Sequence, residues 1–368
     1  MSFNKDKNID FVLLGLVLIL SITSLLMIYS TSAVASMDQF ADGMYYLKKQ
    51  VVYLIIGLVC LFFVSKMDLE VVKNNSFIFL FISIVLLLLL LIPGVGHNAG
   101  GSTRWLNLPF FKPQPAEFVK IFMVIFIAGY LSRQEHRLTT FVNGLIIPLF
   151  YCGIIIALLM KQPDFGSTAI ITFTILGMLA VSGVKLKHLF ISGGLVGSLF
   201  TIFIATSTYR TNRVLGFLNP LEHESNKSYQ LVQSLIAIGS GGLFGSGLGE
   251  SQQKLYYLPA SHTDFIFAVI IEELGLIGGF IIVSLFLLIF YRCYLIIKNF
   301  INNTFYFTLS FGLTLLILLQ AFFNMGVVTG ILPTKGLVLP FLAYGGSSAV
   351  ANLIAIGLLL NLSRYSKE

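Results

Sequence analysis

Long apolar runs broken by short polar stretches dominate this chain, and their length decides the fold class. About 20 consecutive apolar residues carry a helix across a bilayer. On that measure ten runs predict transmembrane helices: 11–31, 49–65, 74–93, 115–132, 142–160, 166–183, 188–206, 264–291, 304–327 and 341–362. The expected fold is an all-α polytopic membrane protein. It reads as a single membrane domain over 1–368, with one large loop, 207–263, between the seventh and eighth spans. The first run mimics a signal peptide, with Lys5 and Lys7 before it and Ala33-Val34-Ala35 after it. It is longer than the roughly 7–15 residues of a signal-peptide core, so an uncleaved first helix is expected.

Composition agrees with this pattern. Only 11% of residues are charged, against about a quarter in a soluble domain, and mean hydropathy is +0.91. A net charge of +7 would suggest nucleic acid in a soluble protein. Here the Lys and Arg flank apolar runs as topology signals, and no nucleic-acid partner is expected. Cys60, Cys152 and Cys293 lie scattered in or beside apolar runs, so neither a disulfide framework nor a metal cluster is expected. With a cytoplasmic N-terminus, the inner segments carry twelve Lys and Arg and the short outer loops six, as the positive-inside rule requires. Both termini then lie in the cytoplasm. The unusual segments 94–114, 161–166, 207–263 and 328–348 all fall on the outer side.

Those outer segments carry the candidate chemistry. The first holds four glycines and then Arg104-Trp105. Trp105 is either an interfacial anchor or part of a turn-rich structure packed closely on something. In Gln114-Pro115-Ala116-Glu117-Phe118-Val119-Lys120, Pro115 suits a first helical turn, and Glu117 and Lys120 share a face at i,i+3. They form either a structural ion pair or one wall of a wet cavity in which Lys120 offers a cation. Asp164 either caps the sixth span or is a second acid near that cavity. Arg210 and Arg213 open the large loop. Residues 229–238 could form a short interfacial or re-entrant helix. Six glycines between Gly239 and Gly249 lack the Gly-Lys-Ser/Thr of a P-loop and suggest the floor or wall of a pocket. Gly and Pro then interrupt 330–348, around Lys335 and Ser347, the kind of break that marks a membrane binding site. Asn324 lies just before that break. Asp264 stands where the large loop meets the eighth span, either as a plain cap or as a working carboxylate, with His262 beside it. A helix start there would favour the ionised carboxylate.

Taken together, Gly101-Ser-Thr-Arg-Trp-Leu106, Gln114-Pro-Ala-Glu-Phe-Val-Lys120, Lys161-Gln-Pro-Asp-Phe-Gly-Ser167, Gln253–Phe267 and Pro333-Thr-Lys-Gly with Tyr344-Gly-Gly-Ser-Ser348 resemble the SEDS family of ten-helix bacterial membrane glycosyltransferases. The resemblance covers essentially the whole chain. Val328–Gly336 is more similar to the division and sporulation branch, FtsW and SpoVE, than to RodA. It implies polymerisation of lipid II into β-1,4 glycan strands at the outer face of the cytoplasmic membrane, at the division septum. It also implies a class B penicillin-binding protein and other divisome proteins as partners, beside lipid II and the lipid-linked strand.

The implied reaction replaces an α-linked diphosphate by a β bond, so it inverts. One base on the acceptor hydroxyl and positive charge on the departing diphosphate suffice, without the close carboxylate pair of a retaining enzyme. Asp264 is the expected catalytic base. Glu117, Lys120, Asp164, Arg104, Trp105, Arg210, Arg213, His262, Lys335 and Ser347 are expected to bind substrate. Lys120 is the leading cation by position, and a divalent cation such as Mg or Mn on Asp164 or Glu117 stays open. The competing readings are a lipid II flippase, which broken helices and intramembrane charges also suit, and a scaffold, which would leave the four ionisable groups without a task.

Overall fold

The computed structural model describes the chain except residues 1–2, 5–8, 100–101, 109–110, 206–210, 212–216, 218–228, 255–257, 259–260, 334–335 and 368. In order it runs β1 (Phe3–Asn4), α1 (Phe11–Phe40), α2 (Tyr45–Val64), α3 (Leu69–Asn74), α4 (Ser76–Leu89), β2 (Gly96–Ala99), β3 (Ser102–Leu106) and α5 (Pro115–Arg133). A π turn, Val142–Ile146, leads into α6 (Ile147–Lys161), followed by α7 (Phe165–Val181), α8 (Leu186–Ala205) and α9 (Tyr229–Gly241). The chain closes with α10 (Ile266–Lys298), α11 (Thr304–Val328), α12 (Gly346–Ser363) and β4 (Ser366–Lys367).

Every predicted apolar run falls on a helix. Among the described residues seven helical stretches are long and apolar enough to cross a membrane: α1, α2, α5, Val142–Lys161, α10, α11 and α12. Helices α4 and α7 are apolar but shorter. The chain is therefore a polytopic membrane protein. Ala33-Val34-Ala35 lies inside α1, which Asp10 starts by accepting the Leu13 N–H at 2.9 Å. The tenth run begins later than expected, at Gly346, because 336–345 is irregular. Within segment 94–114, β2 and β3 pair as an antiparallel hairpin, with a register irregularity at His97/Asn98.

Helices α5 and α12 form the centre, with most of their apolar length buried, while α2 is mostly exposed. Without water to drive them together, membrane helices pack best where small residues let backbones approach. Gly57 of α2 faces Leu353 of α12, and a Cβ on Gly357 would lie 2.9 Å from Leu61 O. Asn361 ties the far end of this pair, donating to Val64 O at 2.9 Å and Met67 O at 2.8 Å. At that same end β1 pairs with β4, and Arg292 holds Asp10 at 2.8 Å. The two termini thus share one end of the bundle.

The main departure from a plain bundle is in α10. Gly275 has φ 73° and ψ −177°, a region open essentially to glycine alone, and it breaks the helix. The glycine-rich run is stitched into that break. Ser246 and Gly247 donate N–H groups to Glu272 O and Glu273 O at 2.9 and 3.1 Å. Leu276 and Ile277 in turn donate to Gly242 O and Leu243 O at 3.0 and 3.3 Å. The freed backbone groups are satisfied within the protein, as a lipid environment demands. A Cβ on Gly245 would lie 2.2 Å from Glu273 O, and one on Gly275 would lie 2.2 Å from Leu243 O. The expected role of this run as pocket floor is thus corrected: none of Gly239–Gly249 lines the cavity described next. Glu272 and Glu273 are absorbed by the same junction. Glu273 accepts from Ser30 Oγ at 2.6 Å and Lys254 Nζ at 2.8 Å, and Glu272 accepts from Ser251 Oγ and the Gln252 N–H.

Candidate active site

At the end of the bundle away from the termini lies a cavity of about 710 Å³. Five helices begin at it. Tyr45 and Lys49 come from the start of α2, and Gln114 and Glu117 from the start of α5. Asp164 and Ser167 come from the start of α7, and Ser347 and Ser348 from the start of α12. Asp264 stands just before α10. The hairpin adds His97, Arg104 and Trp105, and the irregular segment adds Gly336, Leu337 and Val338. A helix start presents unpaired N–H groups and roughly half a positive charge. Five such ends around one space make it a receptor for anionic groups. Lys49, Arg104 and Lys112 add three cations, facing the carboxylates of Glu117, Asp164 and Asp264.

Asp264 is half-buried in a turn and is not the helix cap, which corrects the expected helix-start geometry. The cap position is Phe265, and no side chain caps that end. The turn is held by the side-chain amide of Asn324, which donates to Asp264 O at 2.8 Å and also to Leu337 O. Gly336 packs directly on the carboxylate, since a Cβ there would lie 2.6 Å from Asp264 Oδ2.

Asp164 meets both expectations at once. Its Oδ1 caps α7 by accepting the Ser167 N–H at 3.2 Å. Its Oδ2 is buried with no hydrogen-bond partner among the described residues. Beside it, Arg104 ties the hairpin to the α6–α7 turn through Pro163 O. Glu117 and Lys120 form a buried ion pair at 2.8 Å, with side chains 9% and 2% exposed. Glu117 faces the cavity and Lys120 does not. Lys120 as the cation offered to substrate is thereby corrected: its charge is spent on Glu117, one turn behind the wall.

Trp105 lines the cavity, so it is more than an interfacial anchor. Ser347 lines it too, its Oγ accepting the Gln114 N–H at 2.8 Å and joining α12 to the lead-in of α5. His262 stands behind the wall instead of in it. Its ring packs on Tyr46 at 4.6 Å and lies 5.7 Å from Tyr344, while its carbonyl accepts the Tyr344 N–H at 2.9 Å. Burial pulls its pKa down to about 4, so it is neutral at pH 7. Arg210, Arg213 and Lys335 lie outside the described residues. No three carboxylate, histidine or cysteine groups among the described residues converge as a metal cage.

Residues 10–368 match the sequence family described as cell cycle protein, FtsW/RodA/SpoVE. This chain belongs to that family. It is 39% identical over 364 residues to stage V sporulation protein E of Bacillus subtilis, covering 99% of each chain. It is 41% identical over 362 residues to the probable peptidoglycan glycosyltransferase FtsW of Legionella pneumophila, covering 96% of this chain and 91% of the relative. The fold matches a chain in a solved peptidoglycan synthase complex at TM-score 0.80 and 24% identity, with 98% and 99% coverage. It matches the rod shape determining protein RodA of Thermus thermophilus at TM-score 0.70 and 25% identity, over 97% of each.

Sequence reasoning missed several residues that line this cavity. Lys49 and Lys112 were visible only as loop charges, and Tyr45 and Tyr53 only as the edge of an apolar span. Lys49 is in fact pinned, donating to Tyr45 Oη at 2.6 Å, and Lys112 lies 3.2 Å from His97 Nε2. Only their spacing along α2 and their place beside the hairpin mark them, and both need the fold.

Proposed function

We infer that this protein is an inverting peptidoglycan glycosyltransferase that polymerises lipid II into β-1,4 glycan strands. The observation that carries it is the single cavity in which Asp264 faces five helix starts and three cations. An inverting transfer from a lipid diphosphate needs this pairing of one basic carboxylate with a strongly anion-favouring surround. Asp264 accepts a hydrogen bond from the acceptor 4-hydroxyl and takes its proton as the oxygen attacks the anomeric carbon. The leaving diphosphate gathers negative charge, which the helix N-termini with Lys49, Arg104 and Lys112 stabilise. Trp105, Tyr45 and Tyr53 offer flat faces to sugar rings. Asp164 Oδ2 and Ser347 supply hydrogen-bond positions, and Glu117 is held in place by Lys120. Arg210, Arg213 and Lys335 complete the substrate-binding set as proposed from the sequence, while His262 supports the wall from behind through Tyr46 and Tyr344.

The family also supports a cytoplasmic-membrane enzyme with its cavity on the outer face, both termini inside, one large outer loop between the seventh and eighth of ten spans, and a single membrane domain. It supports a class B penicillin-binding protein as partner at the septum, with other divisome proteins. The decisive assay uses purified full-length protein and lipid II in detergent, where no leaflets exist to cross. Polymerised strands are the expected product; transport activity in vesicles with no polymer in detergent would favour the flippase instead.

A further inference from the structure

The geometry points to Asn324 as a positioning residue for the Asp264 carboxylate, an inference that rests on the catalytic reading of Asp264. Asn324 lies on α11, is 1% exposed and does not line the cavity. Its side-chain nitrogen donates to two main-chain oxygens, Asp264 O at 2.8 Å and Leu337 O. Both of its N–H groups are engaged, while its own Oδ1 is buried with no hydrogen-bond partner among the described residues. The partners fix which way the amide points. A flipped amide would set Oδ1 against two carbonyl oxygens. The site therefore calls for two donors on one rigid stem.

The two carbonyls belong to two different irregular segments. One is the turn before α10, which presents Thr263 and Asp264 to the cavity; the other presents Gly336, Leu337 and Val338. Neither has a helical or strand ladder at that point to hold it. They meet at the carboxylate itself, because the Gly336 Cα lies so close that a Cβ would stand 2.6 Å from Asp264 Oδ2. Asn324 holds the Asp264 peptide from beneath and sets the distance to Gly336 from the same nitrogen. A small shift of either segment re-aims the carboxylate, and misplacement by about 1 Å can cost on the order of 10²-fold in rate. Asn324 does not line the cavity and acts through the main chain that carries Asp264 and Gly336.

The test is the kinetics of full-length protein on lipid II. Asn324→Leu removes both donors at similar volume, Asn324→Asp sets oxygen against each carbonyl, and Gly336→Ala pushes the carboxylate directly. Each is expected to lower kcat on the order of 10²-fold, with KM within about threefold, at a temperature where every variant is shown to be folded, because unsatisfied carbonyls or a buried carboxylate lower the melting temperature. The Asn324→Leu/Gly336→Ala double variant is expected to be no slower than the slower single, because both act through one carboxylate. If Asn324→Leu does not fold, Asn324→Ser, with one donor, takes its place with a smaller loss expected. Wild-type kcat in Asn324→Leu overturns the inference. So does a loss that tracks melting temperature, or a double variant whose loss is the product of the singles. Asp264→Asn measured alongside separates the two claims. Full activity there removes the catalytic reading and this role with it, whereas a dead Asp264→Asn beside a fully active Asn324→Leu removes the positioning role alone.

Discussion

At the residue scale, the buried charges of Glu117 and Lys120 are tied to each other. Breaking one member of a buried pair leaves an uncompensated charge at a cost of about 3–5 kcal/mol. Lys120→Met is therefore expected to destabilise the protein by about that amount. Adding Glu117→Gln should restore the melting temperature but not polymerisation, because Glu117 faces the cavity. Restored activity in the double variant would show the pair to be structural only. His262 yields a second expectation, in pH. Its folded pKa of about 4 lies below the ordinary 6.5. Above pH 6.5 both folded and unfolded forms are neutral and stability is full. Between 6.5 and 4 the unfolded chain binds the proton and the folded one does not, so stability falls by up to about 1.4 kcal/mol per pH unit. Melting temperatures measured over that range should show the slope in wild type and a shallower one in His262→Gln; equal slopes would show that other groups carry it. Asp264, Asp164 and Glu117 were legible in the sequence because carboxylates at the ends of apolar runs are rare and costly. The Glu117–Lys120 pair was legible as well, from its i,i+3 spacing; that Lys49, Arg104 and Lys112 share a cavity with these carboxylates was not, because it depends on how segments distant in sequence face each other.

At the element scale, the glycines have separate tasks that a sequence window cannot tell apart. Gly275 and Gly245 sit at positive φ, 73° and 83°, with a carbonyl oxygen where a Cβ would go. Gly153, inside α6, has open space around it. Gly275→Ala and Gly245→Ala are each expected to cost at least about 1–3 kcal/mol from backbone strain alone, read as a lowered melting temperature. Gly153→Ala should be neutral or stabilise by up to about 1 kcal/mol. Equal tolerance at all three positions would mean that the stitched break in α10 does not support the fold. The helices themselves were readable because span length is fixed by the bilayer. The break in α10 was not, since Leu274-Gly275-Leu276 keeps the apolar pattern unbroken, and the hydrogen bonds that satisfy it come from residues some thirty positions earlier.

At the scale of the whole molecule, bundle direction brings the chemistry together. Helices α2, α5, α7, α10 and α12 all start at the same end, so the positive ends of five helix dipoles surround one cavity and the termini gather at the other end. The sequence already indicated a shared face, through the placement of Lys and Arg and the clustering of Gly and Pro. It could not show that the hairpin, the α6–α7 turn and the segment before α12 close around Asp264. That enclosure turns a set of loops into one cavity, as the proposed reaction on an anionic lipid-linked sugar requires. The most direct test is the rate of strand formation from lipid II by purified Asp264→Asn protein against wild type, with both shown to be folded. The expected result is a loss of about 10²–10⁴-fold, the usual contribution of a general base. Strand formation at the wild-type rate by Asp264→Asn would contradict the account.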